Sequence, residues 1–307
     1  MTLRDLLTSA RWSPGPGPSP AILALAVVVC CGALPAQARA GERSTYYLSL
    51  GDSLARGWQP DPSGVGRPGN EGYTDVLLAR ERARTGGLRA VKLGCPGETT
   101  LTMRTGGICA YRRGSQLRAA EAFLRAHRGR VAVVTISIGG NDAQRCVRAG
   151  ALAPACAQLA LTGLERTMPT IARRLRRAAG EAPVVGITYY NAFLAFYLQG
   201  NAGRAQALAT VPFANGLNAR LRRSYGDSRI TVADVPRAFS SRELVRTEAV
   251  PGFGSLPVAV ARICAWTWMC APAPRGPDIH PNSVGYQVIA TEIGRVLRRQ
   301  GGAAETY

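Results

Sequence analysis

The run Tyr46-Tyr47-Leu48-Ser49-Leu50 leads directly into Gly51-Asp52-Ser53-Leu54, and the junction puts a serine hydroxyl where an apolar strand stops. A short, almost wholly apolar run bounded by turn residues reads as a buried strand of a parallel sheet. In an open α/β sheet the carboxyl ends of the strands form the ligand crevice, and the helix that follows presents backbone N–H groups to an anion. Ser53 therefore stands where a nucleophile belongs. Gly-Asp-Ser is also an ordinary turn sequence, so the reading depends on what stands at the ends of the other strands.

Working outward, the same rhythm repeats. A Gly/Pro-rich loop from Trp58 to Gly72 precedes a helical pattern over Thr74 to Arg84. A strand over Ala90 to Leu93 then ends at Gly94-Cys95-Pro96-Gly97. A helix from Gln116 to Arg128 feeds the most apolar strand, Val131 to Ile138, which ends at Gly139-Gly140-Asn141-Asp142. A long amphipathic helix reaches Ala179, with Leu161, Leu164, Met168, Ile171 and Leu175 at spacings of three and four, and Pro169 inside it. Strands over Pro183 to Tyr189 and Ile230 to Ala233 flank a helix from Phe213 to Arg223, and a last helix covers Ser283 to Arg299. The stretch from Ser240 to Gly276 reads as loop, with Phe253, Leu256, Trp266, Trp268 and Met269 in it. Alternating strands and helices with five strands predict an α/β fold with a mainly parallel, doubly wound sheet rather than a barrel.

The chain begins with Arg4 and Arg11, an apolar run of 14 residues from Ala21 to Leu34, and small residues around Ala36-Gln37-Ala38-Arg39-Ala40. This is the pattern of a secretory signal peptide over residues 1–40, too short to span a bilayer, followed by a single domain over 41–307. Six cysteines remain beyond the leader, as the close neighbours Cys95 and Cys109, Cys146 and Cys156, and Cys264 and Cys270. Local pairing of each couple is the simplest disulfide framework, although six cysteines admit fifteen connectivities. The formal net charge of +19 becomes +17 without residues 1–40, which hold three arginines and one aspartate. Nearly all of it is arginine, Lys92 being the single lysine. Such a surface attracts anionic lipid head groups or acidic wall polymers at long range. The arginines lack interleaved aromatics or zinc spacing, so no nucleic-acid partner is expected.

Serine needs a base to take its proton, and imidazole is the usual one. The chain has two histidines. His127 ends a basic helix, Ala126-His127-Arg128, and reads as a surface residue. His280 lies in Pro277-Asp278-Ile279-His280-Pro281-Asn282, a rigid turn before the last helix, which Asn282 or Ser283 can cap. Acyl transfer also needs donors aimed at an oxyanion. The backbone N–H of Ser53, the backbone N–H of Gly97 and the side-chain amide of Asn141 each follow a different strand end, so a parallel sheet would bring all three to one crevice.

Gly51-Asp52-Ser53-Leu54, Gly97 in Cys95-Pro96-Gly97-Glu98-Thr99-Thr100, Gly139-Gly140-Asn141-Asp142 and Asp278-Ile279-His280-Pro281, in this order, resemble the four blocks of the SGNH (GDSL) hydrolase superfamily. The likeness spans about residues 45 to 297. The three cysteine couples further resemble a secreted actinobacterial branch of esterases and lipases. The resemblance implies a flavodoxin-like three-layer α/β/α sandwich and ester hydrolysis through an acyl-serine intermediate. By the same carry-over Ser53 is the nucleophile, His280 the general acid/base, and Ser53, Gly97 and Asn141 form the oxyanion hole. One departure concerns the acid, which the family places three residues before the histidine. That position is Pro277 here, while Asp278 precedes His280 by two. Either Asp278 reaches imidazole Nδ1 through a bent turn, or a backbone carbonyl from the Trp266 to Pro277 region does so.

The expected activity is thus that of a secreted, extracellular and monomeric serine esterase or lipase acting on lipid or other small-molecule esters, with no metal or organic cofactor. The apolar residues between 240 and 276 are candidates for an acyl pocket, or else form a disulfide-pinned core patch. Two alternatives stand beside this reading. One is polysaccharide O-deacetylation, with the Trp58 to Gly72 loop, Trp266 and Trp268 stacking on sugar. The other is a non-catalytic binder of lipid or wall polymer.

Overall fold

The computed structural model describes residues 45–85, 87–148 and 151–304, and the leader expected over residues 1–40 lies outside them. Chain contacts gather Glu42–Tyr307 into one compact unit. Its centre is a five-stranded sheet of β1 (Thr45–Gly51), β2 (Leu88–Lys92), β3 (Val131–Ser137), β4 (Val184–Ile187) and β5 (Thr231–Ala233). The strand order is β2-β1-β3-β4-β5 and every pairing is parallel. This is the flavodoxin-like order, in which the chain reverses its winding between β1 and β3 and leaves a crevice beyond their carboxyl ends. Ser53 follows β1 and Asn141 follows β3, so both stand at that crevice.

The period-two alternation of the strands sorts the core into two layers. Leu48, Leu50, Val134 and Ile136 pack under α3 (Gln116–Ala126), α5 (Pro154–Ala179) and α6 (Gly200–Gly226). Tyr47, Val133, Val185 and Ile187 pack on the other face, under α1 (Tyr73–Thr85), α8 (Val258–Trp266) and α9 (Ser283–Ala304). Shorter helices are α2 (Thr100–Thr105), α4 (Gly140–Gln144) and α7 (Val235–Ala238). The result is a three-layer α/β/α sandwich, and all five strands expected from the sequence are present. Leu161, Leu164, Met168, Ile171 and Leu175, the predicted stripe of α5, are all buried.

Two segments differ from expectation. Helix α6 begins at Gly200, well before Phe213, because Ala202, Ala205, Ala207 and Ala209 favour helix strongly enough to carry it through Pro212. Helix α8 occupies part of the stretch read as loop; Val258, Ala259, Val260, Ala261 and Ile263 are buried, so it has no polar face to betray its period. Ahead of it a hairpin pairs Thr247–Val250 with Gly254–Pro257. The three local disulfides are present, Cys95–Cys109, Cys146–Cys156 and Cys264–Cys270. Among the described residues no helix is long and apolar enough to cross a membrane.

Candidate active site

The turn after β1 is built around Gly51, whose φ of 128° lies in the region open to glycine. A Cβ there would stand 1.9 Å from the carbonyl oxygen of Ser137, so glycine alone lets β1 lie against β3 at this point. Asp52 N–H donates to the same carbonyl (2.9 Å), completing the last rung of the sheet. The chain then turns into a single 3-10 turn, Leu54–Arg56, which holds Ser53 at its head. Asp52 points back into the protein. It accepts from Leu54 N–H (3.0 Å), from Ser137 Oγ (3.3 Å) and from Tyr189 Oη (2.5 Å). Burial raises its carboxyl to about 6, and the hydrogen bonds from Tyr189 and Leu54 hold it from rising further.

Ser53 Oγ lies 2.8 Å from His280 Nε2, and His280 Nδ1 lies 2.7 Å from Asp278 Oδ1. The turn bends back on itself, because the same Oδ1 also accepts the backbone N–H of His280 at 2.8 Å. A spacing of two residues thus suffices. Two carbonyls of the alternative stretch are engaged elsewhere: Trp268 O takes the N–H of Asp278 (3.2 Å) and Trp266 O that of Asn282 (3.0 Å). Burial pushes the Asp278 carboxyl up, but its hydrogen bond and charge interaction with His280 outweigh this and leave it below the usual range. Asn282 Oδ1 accepts Gly285 N–H (3.1 Å) and is the residue that caps α9. His127 is far from this arrangement in role: its Nδ1 bonds Phe123 O (2.9 Å), and its ring stacks on Phe123.

Asn141 sits in the first turn of α4, with its Nδ2 donating to Glu98 O (3.0 Å). The amide has a second hydrogen, and Asn141 lines the same cavity as Ser53 and His280. Asp142 ties this turn to α2 by accepting both Thr100 N–H (2.9 Å) and Thr100 Oγ1 (2.6 Å). Gly97, one residue before the carbonyl that Asn141 grips, has φ of 81°, and no heavy atom lies within 4 Å of where a Cβ would stand. Gly97 is exposed, and it is not among the residues that line the cavity with Ser53, Asn141 and His280.

The cavity beside Ser53 is walled by Leu54, Phe193, Phe213, Ala214, Leu217 and Ile279. Its apolar wall comes from the 3-10 segment Ala192–Leu198 and from α6, rather than from residues 240–276. Of those, Phe253 is exposed, while Leu256, Trp266 and Met269 pack into the layer of α8 and α9. Leu256 is buried, Trp266 meets Phe239 edge-on at 5.1 Å, and Trp268 Nε1 donates to Gln59 Oε1 (3.2 Å), so neither tryptophan faces the cavity. Two tyrosines escaped the sequence reading. Tyr189 holds Asp52, and Tyr190 donates to Ile279 O (2.6 Å) while stacking on Phe239 at 4.6 Å. Their only sequence signal was their place at the end of a strand.

Residues 49–288 match the model of the GDSL-like lipase/acylhydrolase family, which is most of the chain, and the protein belongs to that family of carboxylic ester hydrolases. Among solved structures the fold is similar to phospholipase A1 from Streptomyces albidoflavus NA297, with TM-score 0.53 and 19% identity over 82% of this chain and 99% of that one. It is likewise similar to the extracellular lipase from Streptomyces rimosus, with TM-score 0.53 and 20% identity over 82% of this chain and 100% of that one. No curated protein matches the chain.

Proposed function

We propose that this chain is a secreted serine esterase that hydrolyses lipid esters, with Ser53 as nucleophile, His280 as general acid/base and Asp278 as its partner. The observation that carries this is the continuous relay from Ser53 Oγ to His280 Nε2 (2.8 Å) and from His280 Nδ1 to Asp278 Oδ1 (2.7 Å), opening on an apolar cavity. Ser53 Oγ attacks the ester carbonyl carbon while its proton passes to His280 Nε2. The carbonyl π pair moves onto oxygen, where the N–H groups of Ser53 and Gly97 and the amide of Asn141 stabilise it. Collapse breaks the bond to the alkoxy oxygen, which leaves as alcohol with the proton from Nε2. Water then attacks the acyl-serine by the same relay, and the carboxylic acid departs with Ser53 restored. Asp278 keeps the Nδ1 proton in place and stabilises the imidazolium.

Phe193, Phe213 and Leu217 favour a hydrocarbon acyl group, since transfer of each methylene out of water contributes roughly 0.8 kcal/mol. The charge of +17 beyond residue 40 favours an anionic lipid surface as the site of action. The apolar leader and the three disulfides support export. The test is hydrolysis of p-nitrophenyl esters of increasing chain length by wild type and Ser53→Ala side by side. A Ser53-dependent optimum at medium or long chains is the expected result. Activity confined to acetate would replace lipid with acetylated polysaccharide, and absence of both turnover and fluorophosphonate labelling at Ser53 would leave a non-catalytic binder.

A further inference from the structure

Gln116 is fully buried at the start of α3, and its side-chain amide does not face its own helix. Its Oε1 accepts the N–H of Gly51 at 2.6 Å, and its Nε2, with two hydrogens to give, has three acceptors within reach, Gly51 O at 2.9 Å, Glu98 Oε2 at 2.9 Å and Tyr111 Oη at 3.0 Å. The orientation of the amide is determined by these partners. Turned over, Oε1 would confront the carbonyl of Gly51 and the carboxyl of Glu98, two acceptors. The position explains the contact. Ladder pairing between β1 and β2 ends at Ser49 and Lys92, so Gly51 would otherwise have lost the neighbour its backbone faces. Cys95 N–H reaches Gly51 O (2.9 Å), but Gly51 N–H has no strand left to bond. A glutamine side chain ends in a group equivalent to a peptide, and here it takes the place of the missing one.

The same amide therefore joins three parts of the oxyanion hole. Ser53 N–H is two residues beyond the Gly51 peptide that Gln116 grips. Gly97 N–H is one residue before Glu98, whose carboxyl Gln116 holds. Asn141 is bonded to Glu98 through the backbone carbonyl of that residue (3.0 Å). Glu98 is itself buried, and Gln116, with the Thr102 side chain beside it, keeps this carboxyl, and with it the Gly97 loop, in register with β1. We propose that Gln116 is a positioning residue that sets the spacing of the three oxyanion donors, acting through Gly51 and Glu98 without touching substrate. The inference rests on the site roles proposed above.

Such a residue affects the tetrahedral state more than the bound ester, so its loss separates kcat from KM. The experiment measures p-nitrophenyl butyrate hydrolysis by wild type, Gln116→Ala, Asn141→Ala and the double variant. Gln116→Ala is expected to lower kcat by about 10- to 100-fold with KM within about threefold of wild type. In the Asn141→Ala background the same change should cost no more than about threefold, because the hole it aligns is already broken. Unchanged kcat in folded Gln116→Ala, or losses that multiply in full, would overturn the proposal; a merely structural glutamine would lower the melting temperature and leave kcat alone. If Gln116→Ala does not fold, Glu98→Leu cuts the link to the Gly97 loop while keeping the clamp on β1. A fall in kcat at constant KM then supports the proposal and wild-type kcat defeats it. Turnover that survives Ser53→Ala would defeat the site reading itself, whereas Ser53-dependent turnover indifferent to both Gln116→Ala and Glu98→Leu defeats only this inference.

Discussion

The two sides of the catalytic crevice are built on different principles. Ser53, Gly97 and Asn141 stand on turns that leave the sheet, and the register of β1, β2 and β3 sets their positions. His280 and Asp278 stand on a loop that belongs to no strand of the sheet. It is laced down by Tyr190 on Ile279 O, by Trp268 N–H on His280 O (3.0 Å) and by a single bridge between Thr267 and Pro281. A parallel sheet locates its strand ends cooperatively, so an error at one residue is resisted by a whole ladder. A laced loop has a few separate attachments, and each can be cut alone. The side of the laced loop should therefore respond to mutation by degrees, one attachment at a time.

The largest effects test both sides at once. Ser53→Ala and His280→Ala should each reduce kcat by about 10⁴-fold or more, and the double variant should be hardly worse, because the two act as one unit. Steady-state kinetics on a p-nitrophenyl ester checks this, and losses that multiply would break the unit. Next comes Asp278→Asn, expected to reduce kcat by about 10²- to 10⁴-fold through the wrong imidazole tautomer with little change in KM. Retention of more than about a tenth of the activity would remove Asp278 from the relay. A graded loss is expected for Tyr190→Phe, which removes one attachment of the loop: about 1 kcal/mol of unfolding free energy in urea, and a fall in kcat of a few-fold. Full activity in that variant would show that the loop does not need its lacing.

A separate test lies in pH dependence, where the two sides should have opposite signs. The folded chain holds a proton on Asp52 up to about 6, whereas the unfolded carboxyl loses it near 3.8. Between those values the folded state binds more protons, so this contribution to stability falls as pH rises. Asp278 is shifted the other way by His280, and its contribution is lost as pH falls below the ordinary carboxylate range. Unfolding free energies of wild type, Asp52→Asn and Asp278→Asn across pH 3 to 7 would resolve the two slopes by difference. Like signs would refute the contrast.

The same contrast governs how much could be read from the sequence. Three of the five strands end in a turn motif that carries a chemical group, so Ser53, Gly97 and Asn141 could be read as candidates together with the fold. His280 was legible because only two histidines exist and one caps its own helix. The choice of acid was not, since whether Asp278 reaches Nδ1 depends on the bend of a turn that residue spacing does not encode. Helix α8 was hidden because Arg262 is its single charged residue, and 240–276 stayed open between an acyl pocket and a core patch because loop residues were the visible apolar surplus. The apolar side of the cavity beside Ser53 comes from Phe213, Ala214 and Leu217 of α6, and Phe213 and Leu217 also belong to the core cluster. Gln116 gave no signal at all. A glutamine at the start of a helix is commonplace, and its use as a substitute peptide appears only when β2 turns away from Gly51.

Asp278 uses one oxygen to hold both the backbone N–H and the ring nitrogen of the residue two places on. Asp278 and His280 thus form a closed ring within a single turn of chain, and their mutual orientation is independent of where that turn is carried. A loop that drifts moves the pair as one cassette: the ring keeps its tautomer and only its reach to Ser53 changes.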